Sequence, residues 1–325
     1  MKKAKFLLWL LVGVIDLSGQ VPLSEGSITN LYDAFGKEKP GLVFDFGFSC
    51  IINYKGKIIL FDGGSNADTF ARNIKTLNID LRQVDLAIVS HSHFDHVNGL
   101  DYLLSVNPKV KIYYPYDIFW GAAVPFDATG QEPSIRDSLP KEMQYFGGAK
   151  TKFNIQQSGR FWHSNIEYIK ESKEILPGIK LIATSSPFIG YFTRYPNLSF
   201  VPGVFKDSEN NAGKANEAGL PELSLSLDTD RGEILIVGCS HSSVEKIAEA
   251  TKLFTHKNIS LLYGGFHLLP FKKDDLSQLI VYLKDKLGVA RVAPAHCTGH
   301  LAFKMFKEVY RDQYYFAGLG ETIRY

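Results

Sequence analysis

Within Ser90-His91-Ser92-His93-Phe94-Asp95-His96, three imidazoles and one carboxylate fall in six positions, in a chain with 9 histidines. His91 and His93 lie two apart on extended backbone, so both can face one cation. Asp95 and His96 begin the next element and point to a neighbouring position. Imidazole together with carboxylate suits zinc, iron or manganese. The run therefore predicts a metal site rather than a polar loop rich in histidine. Three further histidines end apolar strands: His241 in Gly238-Cys239-Ser240-His241, His267 in Gly264-Gly265-Phe266-His267, and His296 in Pro294-Ala295-His296-Cys297. One histidine in such a place is more often structural, but three beside the first run point to a shared site. The glycines ahead of His241 and His267 allow close backbone approach and sharp turns. His163, His256 and His300 lack this context. His256 reads as a solvated helix end, and His163, beside Trp162, as pocket lining or as packing.

These side chains need strands that end at a common edge. Val84 to Val89 reads as a buried strand directly before the histidine run, and Val97 to Leu104 opens a helix with apolar positions at helical spacing. The run thus occupies a strand-to-helix turn, where open α/β sheets place their ligand sites. Further strands are expected at 42–46, 49–54, 57–61, 109–114, 178–183, 222–228, 232–237, 259–263 and 290–294. Helices are expected at 68–77, 243–254, 274–287 and 301–311. Each half has strands followed by strand–helix alternation. That pattern predicts two sheets packed face to face with helices outside, a four-layer αββα sandwich. Residues 115–172 show no sustained periodicity and read as an insertion packed over one side of the site, and 208–219 reads as a loop. Phe119, Trp120, Phe146, Phe161, Trp162 and the aromatic run at 188–192 fit either a flat apolar substrate or the core of an inserted lobe.

The chain has 325 residues, 45% hydrophobic and 22% charged, enough for one large core. A formal charge of +2 with no basic run excludes a nucleic-acid footprint and leaves a small-molecule substrate as the expected partner. Oligomeric state is left open. Met1 to Lys5 is basic, and Phe6 to Ile15 is apolar over ten residues. That is too short for stable membrane insertion, which takes roughly 20. With the small or polar residues from Asp16 to Gln20, it reads as a signal peptide over 1–20 ahead of one domain over 21–325. A periplasmic or secreted protein follows, or a cytoplasmic one if the segment is not cleaved. Cys50, Cys239 and Cys297 are an odd, sparse set and no disulfide framework. Cys50 lies in an apolar strand and reads as core filler; the other two flank candidate metal histidines.

The H-x-H-x-D-H run, preceded by Leu60-Phe61-Asp62-Gly63-Gly64, resembles the metallo-β-lactamase superfamily over essentially the whole chain after the leader. That resemblance implies the αββα fold. Gly238-Cys239-Ser240-His241, Gly264-Gly265-Phe266-His267-Leu268 and His296-Cys297-Thr298-Gly299 are similar to a subgroup that includes the dihydropterin synthase-like enzymes of methanopterin biosynthesis. The family pattern implies one or two divalent ions, zinc foremost, with iron or manganese as alternatives. His91 and His93 would hold the first ion; Asp95, His96 and His296 would hold the second. Most members supply a bridging aspartate where Gly238-Cys239 stands here. A Cys239 thiolate or His241 would take over, unless Cys239 is only packing. Most members also carry a histidine after an earlier strand, and Ile182-Ala183-Thr184-Ser185-Ser186-Pro187 has none. His241 is therefore the candidate third ligand of the first ion. Asp95 would orient a metal-activated water and His267 would donate a proton to the leaving group. Asp62 is either the partner of a ligand imidazole or a turn residue.

The expected activity is metal-dependent hydrolysis of an ester, phosphoester, lactone or amide. A metal-assisted synthase-like transferase, and a non-catalytic metal- or ligand-binding protein of the same fold, are the rivals.

Overall fold

The computed structural model describes residues 26–115, 124–127, 133–148, 152–155, 165–186 and 220–325. The expected leader, His163, the aromatic residues Phe119, Trp120, Phe161 and Trp162, the run at 188–192 and the loop at 208–219 lie outside the described residues.

The chain begins with β1 (Ser27–Tyr32), β2 (Ser49–Tyr54) and β3 (Lys57–Phe61), then α1 (Ala67–Thr76) and β4 (Leu86–Ile88). Next come α2 (Phe94–Val97), α3 (Leu100–Val106) and β5 (Lys111–Pro115). The middle holds β6 (Val124–Asp127), α4 (Pro133–Ser138), β7 (Lys152–Ile155) and β8 (Ile166–Ile169). The second half runs β9 (Lys173–Leu176), β10 (Ile179–Ser186), β11 (Leu220–Thr229) and β12 (Gly232–Val237). It continues through α5 (Val244–Thr255), β13 (Ile259–Gly265), α6 (Lys273–Val281), β14 (Val292–Ala295), α7 (His300–Tyr310) and β15 (Thr322–Arg324).

One sheet has the order β15-β1-β2-β3-β4-β5-β8 and the other β14-β13-β12-β11-β10-β9, with β6 and β7 a separate antiparallel pair. Strand residues alternate between two cores, as a pleated strand requires. Ile52, Ile59, Phe61 and Ile88 meet Leu225, Ile234, Ile236 and Leu261 between the sheets. Leu60, Ala87 and Ile112 face outward onto Phe70, Leu100 and Leu103, which the helices of the first half supply. Leu235, Val237 and Leu262 face Ile247, Leu279 and Phe306 on the other side. The layers are therefore helix, sheet, sheet, helix: the αββα sandwich. Cys50 is a buried member of the inter-sheet core. Among the described residues, no helix is long and apolar enough to cross a membrane.

In each sheet one half is antiparallel and the other parallel. β3-β4-β5-β8 and β12-β13-β14 form the parallel halves. Parallel neighbours need crossover connections, so their C-terminal ends share one edge. The loops after β3, β4, β12, β13 and β14 all emerge there.

Several expectations change. No strand forms at 42–46; Val43 instead exchanges hydrogen bonds with the side chain of Asn73 on α1 (2.8 and 3.0 Å). The N-terminal strand is β1, which pairs with β15 at the far end of the chain, a pairing that local pattern does not carry. Within the expected insertion, β8 pairs in parallel with β5 and so belongs to the main sheet. The helix expected at 274–287 ends at Val281 and continues as a π-type turn over Tyr282–Lys286.

The helix expected from Val97 is split into α2 and α3 at Asn98-Gly99. A Cβ at Gly99 would stand 1.8 Å from the Gly63 carbonyl oxygen. Only glycine lets this turn press against Gly63-Gly64 and so seat the histidine run. Gly99→Ala is expected to destabilise the fold by about 1–3 kcal/mol or more through overpacking. Urea denaturation checks this, and an unchanged midpoint would refute the close approach.

Candidate metal centre

The run after β4 is fixed from below. Asp62, at the end of β3, is fully buried. Its Oδ1 accepts from Ser90 N and its Oδ2 from Ser90 Oγ, both at 2.7 Å. His96 Nδ1 lies 2.7 Å from the same Oδ2. A carboxylate only accepts, so His96 carries its proton on Nδ1 and presents Nε2 as a lone pair to the site. Ser90 has already given its hydroxyl proton to Asp62. His91 Nδ1, 2.9 Å from Ser90 Oγ, must then be the donor, which leaves His91 Nε2 as a lone pair too. Asp62 is thus the partner of the His96 imidazole, and its left-handed backbone (φ 58°) also makes it a turn residue. Backbone bonds complete the seat: Phe48 N donates to Asp95 O (3.0 Å) and Gly63 N to His96 O (2.7 Å).

The second sheet brings the remaining groups. A Cβ on Gly238 would lie 2.1 Å from Ser90 Oγ, so glycine lets the β12 loop reach the first sheet's network. Cys239 Sγ then stands 3.1 Å from His96 Nε2. The His241 ring centroid is 4.8 Å from that of His91 and 4.5 Å from that of His93. His296 Nε2 is 3.2 Å from Asp95 Oδ2.

These side chains form three overlapping groups in which all donor atoms lie within 4.8 Å of one another: Asp95, His96, Cys239 and His296; His91, Cys239 and His241; and Cys239, His267 and Cys297. Cys239 belongs to all three. His93 completes the surroundings of the second group, its ring 4.5 Å from that of His91. Every ligand expected from sequence is therefore in this one cluster, each at most 5% exposed.

The cluster fits a cation. His91 Nε2, Asp95 Oδ1 and both ring nitrogens of His241 are buried with no protein partner, and an unmet buried polar atom costs about 1–3 kcal/mol. Burial drives His91 and His241 toward neutrality, reinforced by the imidazoles around them, so their nitrogens are free to coordinate. Burial opposes ionisation of Asp95, but His96, His296 and His93 outweigh it and hold its pKa at about 2. Burial likewise opposes a charge on His296, yet Cys297 and Asp95 raise it to about 9. Burial pushes the Cys239 thiol up; a bound cation reverses that. The donor set of imidazole, carboxylate and thiol is that of zinc or a neighbouring transition metal.

Backbone strain gathers at the same place. Asp62, Ser240, Ser243, His267 and His296 hold left-handed backbone, with φ of 58, 65, 73, 55 and 47°. Each costs on the order of 1–3 kcal/mol, and such residues persist where surrounding structure demands a particular side-chain direction.

Three supports had no sequence reading. Asp33 Oδ2 accepts from His296 N at 3.0 Å, and burial raises this carboxyl to about 7. Glu222, on β11, accepts from His241 N (2.7 Å) and Ser242 N (2.5 Å), and burial raises its pKa. A glutamate between the apolar residues of a buried strand was a usable signal for it. Tyr145, from the expected insertion, donates to the His296 carbonyl and accepts from Gly299 N (3.0 Å). His300 accepts from Tyr145 N at 3.2 Å, and burial lowers its pKa to about 4. His256 is the exposed residue that ends α5, as expected. His267, expected to be a proton donor, is 5% exposed, with its ring 4.2 Å from that of His241.

Residues 42–159 match the sequence model of the Metallo-beta-lactamase superfamily. The chain has the fold of that superfamily. Among characterised relatives, the chain is similar to the 7,8-dihydropterin-6-methyl-4-(beta-D-ribofuranosyl)-aminobenzene-5'-phosphate synthase of Methanocaldococcus jannaschii: 29% identical over 83% of this chain and 85% of that one. An uncharacterised protein of the same organism is 26% identical over 85% of this chain and 92% of its own length. Among solved structures, a metal-dependent hydrolase of the beta-lactamase superfamily superposes with a TM-score of 0.64 at 21% identity, covering 93% of this chain and 99% of the other. An isothiocyanate hydrolase from Delia radicum gut bacteria superposes at 0.51 with 15% identity, over 92% and 99%.

Asp62→Ala is expected to weaken zinc binding on the order of 10–100-fold, the scale of losing a partner that orients a ligand. Competition titration against a chromogenic chelator measures it. Unchanged affinity would show that Asp62 shapes only the turn.

Proposed function

We propose that this protein is a metal-dependent hydrolase of small molecules carrying an ester, phosphoester, lactone or amide. The observation that carries the reading is the convergence of two ligand groups on Cys239, with donor atoms in each within 4.8 Å. His91, His93, His241 and Cys239 would hold one ion, and Asp95, His96, His296 and Cys239 the other. This assigns Cys239 the place of the usual bridging carboxylate and His241 that of the absent earlier histidine. When bound, such ions act as Lewis acids on a carbonyl or phosphoryl oxygen and bring the pKa of water toward 7.

The chain's own groups do the rest. Asp62 and Ser90 set the tautomers of His96 and His91, so that each turns its Nε2 inward. Glu222 holds the His241 turn through two backbone N–H groups. Asp95 stays ionised and its Oδ1 is free to orient a polar hydrogen at the site. Beside this turn lies a cavity of about 310 Å³ lined by Pro115, Ile169, Lys170, Thr184, Pro221 and Glu222. That is within the range of small-molecule sites.

The similarity to a synthase favours a second reading, in which the same residues serve a group transfer to an acceptor other than water. Product analysis separates the two.

Purified protein is expected to carry at least one equivalent of zinc, iron or manganese, and the double variant His91→Ala/His93→Ala to lose most of it. On a panel of phosphodiesters, lactones, thioesters and amides, turnover should vanish with chelator and return with metal. Wild type with less than about a tenth of an equivalent after reconstitution would overturn the metal-enzyme reading. Condensation products without hydrolysis would replace it with the transferase.

A further inference from the structure

Cys297 has no place in either ligand set above. It is fully buried, and its Sγ lies 3.5 Å from Cys239 Sγ. With His267, these two thiols form the third group of mutually close donors. The spacing is informative. Two zinc–sulfur bonds of about 2.3 Å at a tetrahedral angle place the sulfurs roughly 3.8 Å apart, whereas a disulfide places them about 2.0 Å apart.

The surroundings are built for this group. A Cβ at Gly265 would stand 2.9 Å from Cys297 Sγ, so glycine keeps its space open. His267 holds left-handed backbone at φ 55°, two residues beyond that glycine.

We propose that Cys239, His267 and Cys297 form a further metal site, a two-sulfur, one-nitrogen set for a zinc-like cation, joined to the other two positions through the shared Cys239 sulfur. Thiolate and imidazole donors of this kind select zinc over magnesium or calcium. The site ties the loop after β12 to those after β13 and β14. It gives His267 a ligand's place instead of a proton donor's. The proposal shares only Cys239 with the hydrolase reading.

The test uses the full chain, reduced and reconstituted with zinc, with bound ions counted by native mass spectrometry. In parallel, cobalt(II) replaces zinc, and the sulfur-to-cobalt charge-transfer band reports thiolate ligation. Cys297→Ser and His267→Ala are each expected to bind one ion fewer than wild type. In Cys297→Ser the band should fall by about half or more, since one of two thiolates is gone. In the double variant His91→Ala/His93→Ala, the metal that remains should still give a two-thiolate band. Thermal melting of the apo forms separates ligand loss from misfolding, and agreement between the two single variants supports the site even if one is destabilised. Cys297→Ser with the ion count and band of wild type would overturn this proposal and leave the hydrolase reading intact. A Cys239–Cys297 disulfide that persists in the reduced, reconstituted protein would also overturn it. Wild type that binds no metal would overturn both.

Discussion

The Asp62 carboxylate is the constraint on which the site depends. It is fully buried on left-handed backbone and binds Ser90 twice and His96 once. Through Ser90 it also sets the proton position on His91. One carboxylate thereby joins the end of β3 to the loop after β4 and turns two imidazole lone pairs toward the same point. Gly238 carries the effect across to the second sheet, because any side chain there would collide with Ser90. Cys239 reaches His96 as a result.

Packing by itself does not account for this arrangement. Buried imidazole nitrogens without partners, a thiol held beside a carboxylate, and five left-handed residues all oppose folding. A protein stable by only about 5–15 kcal/mol keeps such features where a ligand or a function compensates them. The chain's own share of that compensation is the set of buried carboxylates Asp33, Asp62 and Glu222, which hold the loops from behind. The αββα sandwich contributes two rigid sheet edges, and the strained loops are short spans between them.

The comparisons and the geometry speak to different levels. The family match and superposition define the fold, and a fold shared by many enzymes does not define a reaction. One similar relative is a synthase, while the superposing structures include hydrolases. Among the described residues, Cys239 is common to all three groups of close donor atoms.

Much of this was legible in the order of residues. H-x-H-x-D-H after an apolar strand, and histidines ending three later strands, are local patterns. Strand periodicity and strand-to-helix turns are local as well, so the four layers and the ligand candidates could be read directly. The partnership of β1 with β15, the return of β8 to the main sheet, and the break of the helix at Gly99 could not, because each depends on contact between segments far apart in the chain. The same holds for the supports of the site. Asp33, Glu222 and Tyr145 are ordinary residues until the tertiary structure brings them to the backbone of His296 and His241. By itself, then, the sequence determined which side chains could bind a metal, since that is a property of residue type and short spacing. Only the tertiary structure decided which of them meet, which proton each carries, and that Cys239 and Cys297 stand side by side. Those outcomes depend on distances and hydrogen bonds between sheet edges, which no local pattern encodes.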